Sequence, residues 1–197
     1  MKKKTILRAV LGALAVSAFC SLSVAPVYAA EQAWVAKSND NAKILLNLMG
    51  KYSPEGAGAL GVDGLDEQIT DLSRDTFDIN MKETRAVIAE YQKRLRSETD
   101  PKIKQDLMIL ISSAEDSIRS EGLRRKYFLP YMDVTGMLFG VMRQTLDPRV
   151  PKERQKTILV RLDKYAGITK GYRPFTELAK ERMFERLKAN PKLIGPF

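Results

Sequence analysis

The chain has no histidine and one cysteine, Cys20, which lies in the apolar start of the sequence. Without histidine the commonest general base near neutral pH and the commonest transition-metal ligand are both missing. A Ser-His-Asp triad and a Cys-His pair are therefore excluded. A structural zinc site would have to be built from carboxylates alone, which is unusual for that ion. A lone cysteine cannot form a disulfide within the chain, so no such staple holds the fold, and export to an oxidising space would do no harm. The glycine spacings of dinucleotide and P-loop sites are also missing. So are a repeat of fixed period, a low-complexity tract and a convincing strand pattern. Paired carboxylates for sugar hydrolysis stay open on composition, because 24 acidic residues offer many pairs. Most of them lie on the solvent faces of predicted helices, which makes such a site a minor reading.

What is present begins with a basic start, Lys2, Lys3, Lys4 and Arg8, followed by an apolar run from Ala9 to Val24. Val27-Tyr28-Ala29 fits the small-residue cleavage pattern, with the cut between Ala29 and Ala30. The reading is a cleaved signal peptide over 1–29 and export to the periplasm or beyond. The alternative, a retained anchor, is weakened by the shortness of the run, by Ser17, Ser21 and Ser23, and by Pro26. Phe19 beside Cys20 argues against lipoprotein processing. No stable membrane span is expected after cleavage. Without the leader, 168 residues remain as one domain, 30–197, enough to bury a core. The leader removes four basic residues and no acidic one, so the net charge falls from +9 to +5. That is mild for this length and does not suggest nucleic acid as a partner.

The organising stretch is Asp100–Glu121. Ile103, Leu107, Leu110, Ile111, Ala114 and Ile118 make one apolar stripe at helical spacing. Asp100 is the expected N-cap, Pro101 suits the first helical position and Gly122 is the expected stop. A helix over Asn80–Glu98, with Thr84, Val87, Ile88, Tyr91 and Leu95 inward, should pair with it as an antiparallel hairpin. Further helices are expected over Ala33–Lys51 with Gly50 as stop, and over Tyr131–Thr145 with Val134, Leu138, Val141 and Met142 on one face. Two more follow, over Pro151–Ala166 with Ile158, Leu159, Leu162 and Tyr165 inward and Gly167 as stop, and from Arg173-Pro174 to Ala189. The fold class is all-α, antiparallel helical hairpins in an irregular bundle.

Four stretches invite a functional reading. Ser53–Gly64 is glycine-rich, but its spacing makes it a connecting loop and not a phosphate cradle. Asp63, Asp66, Glu67, Asp71 and Asp75 could hold a hard cation, yet their order does not match an EF-hand, and capping carboxylates in a solvated turn are the plainer reading. Arg124-Arg125-Lys126 with Tyr127, Phe128 and Tyr131 interleaves cations and aromatics as single-strand binders do. A helix junction with aromatics tucked in and cations out is preferred. Gly136 and Gly140 form a GxxxG spacing, expected to mark a close helix contact.

Gly58-Ala59-Leu60-Gly61-Val62-Asp63-Gly64-Leu65-Asp66, then Ile69-Thr70-Asp71-Leu72-Ser73, resembles the opening of the bacterial family called domain of unknown function 885. Helical hairpins follow in that family, and Arg161-Leu162-x-x-Tyr165-Ala166-Gly167 is similar to one of its helix ends. Arg182 and the closing Ile194-Gly195-Pro196-Phe197 resemble a later helix and its exit. The resemblance implies an all-helical, zinc-dependent peptidase whose His-Glu-x-x-His motif lies beyond the region matched here. No catalytic or metal residue carries over to this chain. Zinc is expected only in full-length relatives, and no cofactor is expected here.

The expected function is thus an exported helical protein similar to the family's non-catalytic N-terminal part. Its partner would be a C-terminal catalytic half or another protein, and an apolar face should be left uncovered. The alternative is an independent exported helical module that binds a protein or peptide.

Overall fold

A computed structural model describes residues 25–195 of the chain. The expected leader up to Val24 lies outside them, as do Pro196 and Phe197 of the closing motif. The described residues form seven helices: α1 (Ala25–Tyr52), α2 (Pro54–Ala59), α3 (Thr76–Ser97), α4 (Pro101–Tyr127), α5 (Val134–Thr145), α6 (Lys152–Ala166) and α7 (Phe175–Ala189). Among the described residues there is no strand; one isolated parallel bridge joins Phe128 to Ile194. The all-α class is therefore shown.

The central hairpin forms as the sequence dictates. Asp100 has extended backbone and accepts a bond from the Lys102 amide at 2.8 Å, with Pro101 in the first turn. Ile103, Leu107 and Ala114 are buried on α4, and Thr84, Ile88 and Tyr91 face them from α3. α1 lies across both helices and adds Trp34, Ile44 and Leu45 to the cluster around Tyr91 and Leu107. Burying a side chain of this size contributes about 1.5–3 kcal/mol. The one polar atom Tyr91 brings inside is satisfied, because its hydroxyl donates to the Asn41 carbonyl at 2.7 Å. Arg94 donates to the Asn41 side chain at 2.8 Å and fixes the same register. The last three helices pack among themselves around Val141, Ile158, Tyr165 and Phe175.

Several expectations need correction. α1 starts at Ala25, before the predicted Ala33, so the expected cut between Ala29 and Ala30 falls within it. It also runs past Gly50 to Tyr52. Gly50 is no stop: it is buried, and a Cβ there would sit 3.0 Å from Leu65. Gly122 does not end α4 either. Arg125 beyond it stacks over the Phe77 ring at 4.1 Å and ion-pairs with Asp78 at 3.6 Å, and these contacts outweigh the weak helix propensity of one glycine. α3 starts at Thr76 and not Asn80, because Asp71 catches the Thr76 hydroxyl at 3.1 Å. Ser53–Gly64 is not all loop: Pro54 opens the short α2. α5 starts at Val134 because Asp133 caps it through the Gly136 amide. Gly136 and Gly140 are both exposed and make no close helix contact. Leu159 is 65% exposed, and Arg161 takes the inward place on α6 instead.

Candidate functional site

The residues singled out as family-like in the sequence come from distant stretches, and the fold brings Asp66, Arg161 and Tyr165 of them together. α6 presents Arg161 and Tyr165 on one face, four residues apart. Arg161 is buried and donates to the carbonyls of Gln68 at 3.0 Å and Leu65 at 2.7 Å. Tyr165 donates to Glu55 of α2 at 2.5 Å. Glu55 also accepts from the Thr70 amide at 2.8 Å and the Thr70 hydroxyl at 2.6 Å. Asp66 holds Arg154 through two bonds of 2.8 Å, a bidentate pair. Gly167 ends α6 in the left-handed region at φ +74°, and Phe175 packs edge-on against Tyr165 at 5.2 Å.

The electrostatics of this node favour fastening over reaction. Burial, reinforced by the Glu55 carboxylate, pushes the Tyr165 hydroxyl far above its ordinary range, so it remains a donor. Glu55 meets three donors, which occupy most of its acceptor sites. Asp71 lies at the edge of the node. Burial alone would push its carboxyl up, but the bonds from Ser73 and Thr76 outweigh it and hold the group below its usual value. Ser73 donates its amide to Asp71 at 2.8 Å and its hydroxyl at 2.6 Å, so the two residues close a local turn just before α3. Leu60 and Gly61 do not join the node: Leu60 is exposed, and Gly61 turns the chain at φ +89°. Ala29 and Ala30 lie in α1.

Among the described residues no three His, Cys, Asp or Glu side chains converge on a point. Of the acidic string Asp63–Asp75, Asp66 is held in an ion pair with Arg154 and Asp71 in a turn with Ser73 and Thr76.

Two of the concave surfaces among the described residues bear on the readings of the sequence. One is an apolar groove of about 680 Å³ between α1, α3 and α4, floored by Leu45, Met49, Met81, Leu110 and Ala114. The other is a basic and aromatic hollow of about 450 Å³ at the end of α4, lined by Phe77, Arg124, Arg125, Phe128, Tyr131 and Arg186. The aromatics there are not tucked in as expected: Tyr127, Phe128 and Tyr131 are each about half exposed. At this point the chain leaves α4 and bridges to Ile194.

Two residues of the node were not picked out from the sequence. Glu55 was read as part of a loop, although Pro54-Glu55 after Ser53 is a plausible helix opening. Arg154 carries no local signal, since its partner lies 88 residues away. Arg182 of α7 pairs with Glu185 at 2.9 Å, away from the node. No family model matches the chain, and no curated protein or solved structure is detectably similar to it.

Proposed function

We propose that the chain is an exported, non-catalytic helical scaffold, similar in the order of its elements to the N-terminal part of the domain of unknown function 885 proteins. It works by seating a helix of another polypeptide in the groove between α1, α3 and α4. The observation that carries this reading is the groove itself. Three packed helices leave a mostly apolar hollow between the later turns of α1 and α4 and the first turns of α3, where a helix of a partner would complete a bundle. The meeting of Asp66, Arg161 and Tyr165 in one node supports the resemblance as an association only. The total lack of histidine supports the absence of the family's chemistry from this chain.

Ser113 lies on the groove wall and is exposed. Ser113→Trp is expected to fill the groove and lower the binding of a hydrophobic dye several-fold, with the far-UV circular dichroism unchanged. Equal dye binding by both proteins would sink the groove reading. Peptide cleavage that a chelator abolishes would sink the non-catalytic one. The continuous core around Tyr91 favours a second reading, the same scaffold acting as a self-contained binding module. Sharp cooperative unfolding with little dye bound would select it.

A further inference from the structure

The end of the bundle at which α4 stops carries a surface that the helix-groove reading does not use. Leu123 and Tyr127 lie one turn apart on the last stretch of α4, and both are about half exposed. Phe128 and Tyr131 continue the surface, and Ile194 joins it from the other end of the chain. The backbone beneath part of this surface is tied together. The Ile194 amide donates to the Tyr127 carbonyl at 2.9 Å, and the Leu129 amide donates to the Ile194 carbonyl at 2.8 Å. Cations surround them: Arg124, Lys126 and Lys192 are exposed beside the apolar residues. Among the described residues no carboxylate pairs with Lys126 or Lys192, and Arg124 reaches Glu121 only at 3.9 Å.

We propose that this end of the molecule seats the protein on the surface of an anionic lipid bilayer. Exposed aromatic and aliphatic side chains at the tip of a rigid element, ringed by cations, match the layering of such a surface. Apolar groups enter the acyl boundary, Tyr rings stay at headgroup depth, and Lys and Arg extend their charges to the phosphates. Charge complementarity selects the occupant: the surface carries unpaired cations, and anionic leaflets attract juxtaposed basic residues. Single-stranded nucleic acid fits less well. It needs open aromatic faces for stacking, but Lys126 covers Tyr127 at 5.0 Å and Arg125 covers Phe77 at 4.1 Å. Exposed Leu123 and Ile194 have no role in that mode. No described helix is long and apolar enough to cross a membrane, so the contact is peripheral.

The test uses the full chain with Cys20→Ser and one introduced cysteine carrying an environment-sensitive fluorophore. Tyr131→Cys places the label in the surface. Gln92→Cys places it on the exposed face of α3, toward the other end of the hairpin. A position-resolved readout separates contact by this end from attachment through the apolar start of the chain. Vesicles of equimolar phosphatidylglycerol and phosphatidylcholine are expected to brighten and blue-shift the label at 131 and not at 92. Phosphatidylcholine alone should do neither, and added salt should reverse the effect. Reversing two charges with Arg124→Glu and Lys126→Glu should weaken vesicle binding by at least about 25-fold, from roughly five-fold per cation at an anionic surface. Both positions are exposed, and the salt series on the unreversed chain reads the same electrostatics without them. The proposal is overturned by a silent label at 131, by equal responses at 131 and 92, or by a response indifferent to lipid charge and salt. A response to a single-stranded oligonucleotide but not to vesicles would overturn it in favour of nucleic acid.

Discussion

Glu98 closes α3 with a side chain only 6% exposed, paired to Lys37 at 2.7 Å. It also accepts from the amides of Thr99 at 2.9 Å and Asp100 at 3.1 Å, and so shapes the turn into α4. The Lys37 bond first, then the two amide bonds, lower its pKa from the ordinary 4.5 to about 2. A carboxyl that is more acidic folded than unfolded stabilises the fold fully above its unfolded pKa. That contribution is lost as pH falls from about 4.5 to about 2. Urea midpoints of the unchanged chain should therefore fall across this window, and Glu98→Gln should flatten that part of the profile. An identical slope in the variant would show that the carboxylate is not the group responsible. None of this was legible in the sequence, where Glu98 was only the end of a helix. Its burial depends on Lys37, which lies 61 positions earlier on α1. Tyr165 was legible as an inward residue from helical spacing, but its partner Glu55 was not, because spacing says nothing about what a hydroxyl meets across the fold.

At the scale of elements, three glycines expected as helix stops behave differently, and a fourth, Gly140, makes no helix contact. Gly167 does end α6. It takes φ +74°, and a Cβ there would lie 2.5 Å from the Pro174 nitrogen, where the chain turns into α7. Gly122 sits mid-helix in α4, exposed, with nothing within 4 Å of a built Cβ. Gly50 is buried against Leu65, and Gly140 faces open space. Sequence periodicity located the long helices and most of the faces they bury, because that information is local, but it missed the short α2 and put Leu159 inward where Arg161 lies. It misplaced their ends, because an end is decided by caps and contacts: Asp133 starts α5, and the stacking of Arg125 on Phe77 prolongs α4. The pair Gly167→Ala and Gly122→Ala tests this difference by thermal unfolding. Gly122→Ala should stabilise by about 0.5–1 kcal/mol, the helix preference of alanine over glycine. Gly167→Ala should destabilise by at least about 1–2 kcal/mol from the left-handed backbone alone, with the clash against Pro174 adding to it. If both changes moved stability in the same direction, the distinction between a stop and a mid-helix glycine would be wrong.

For the whole molecule, the two groups of helices differ in what holds them. α1, α3 and α4 share the apolar cluster around Tyr91 and Leu107. α5, α6 and α7 bury fewer large side chains, and their attachment to the rest runs through polar contacts. Arg161 and Lys164 reach the carbonyls of the 65–68 turn, Arg154 reaches Asp66, and Arg186 of α7 reaches the Arg125 carbonyl. A net hydrogen bond contributes about 0.5–1.5 kcal/mol, or about 1.5–3 kcal/mol where a charge takes part, whereas core packing adds up over many contacts. Opening should therefore be graded. Native-state hydrogen exchange is expected to protect the amides of α3 and α4 facing Tyr91 and Leu107 most strongly, up to the free energy of global unfolding, while α5 and α7 exchange through a cheaper partial opening. Arg161→Met keeps the length of the side chain but leaves two carbonyls unpaired, so it should widen the gap by lowering protection in α5–α7 and leave α3 and α4 within error. Uniform loss of protection in all helices would mean that the two groups unfold as one unit, and that the Arg161 joint is part of a single core and not a seam between two.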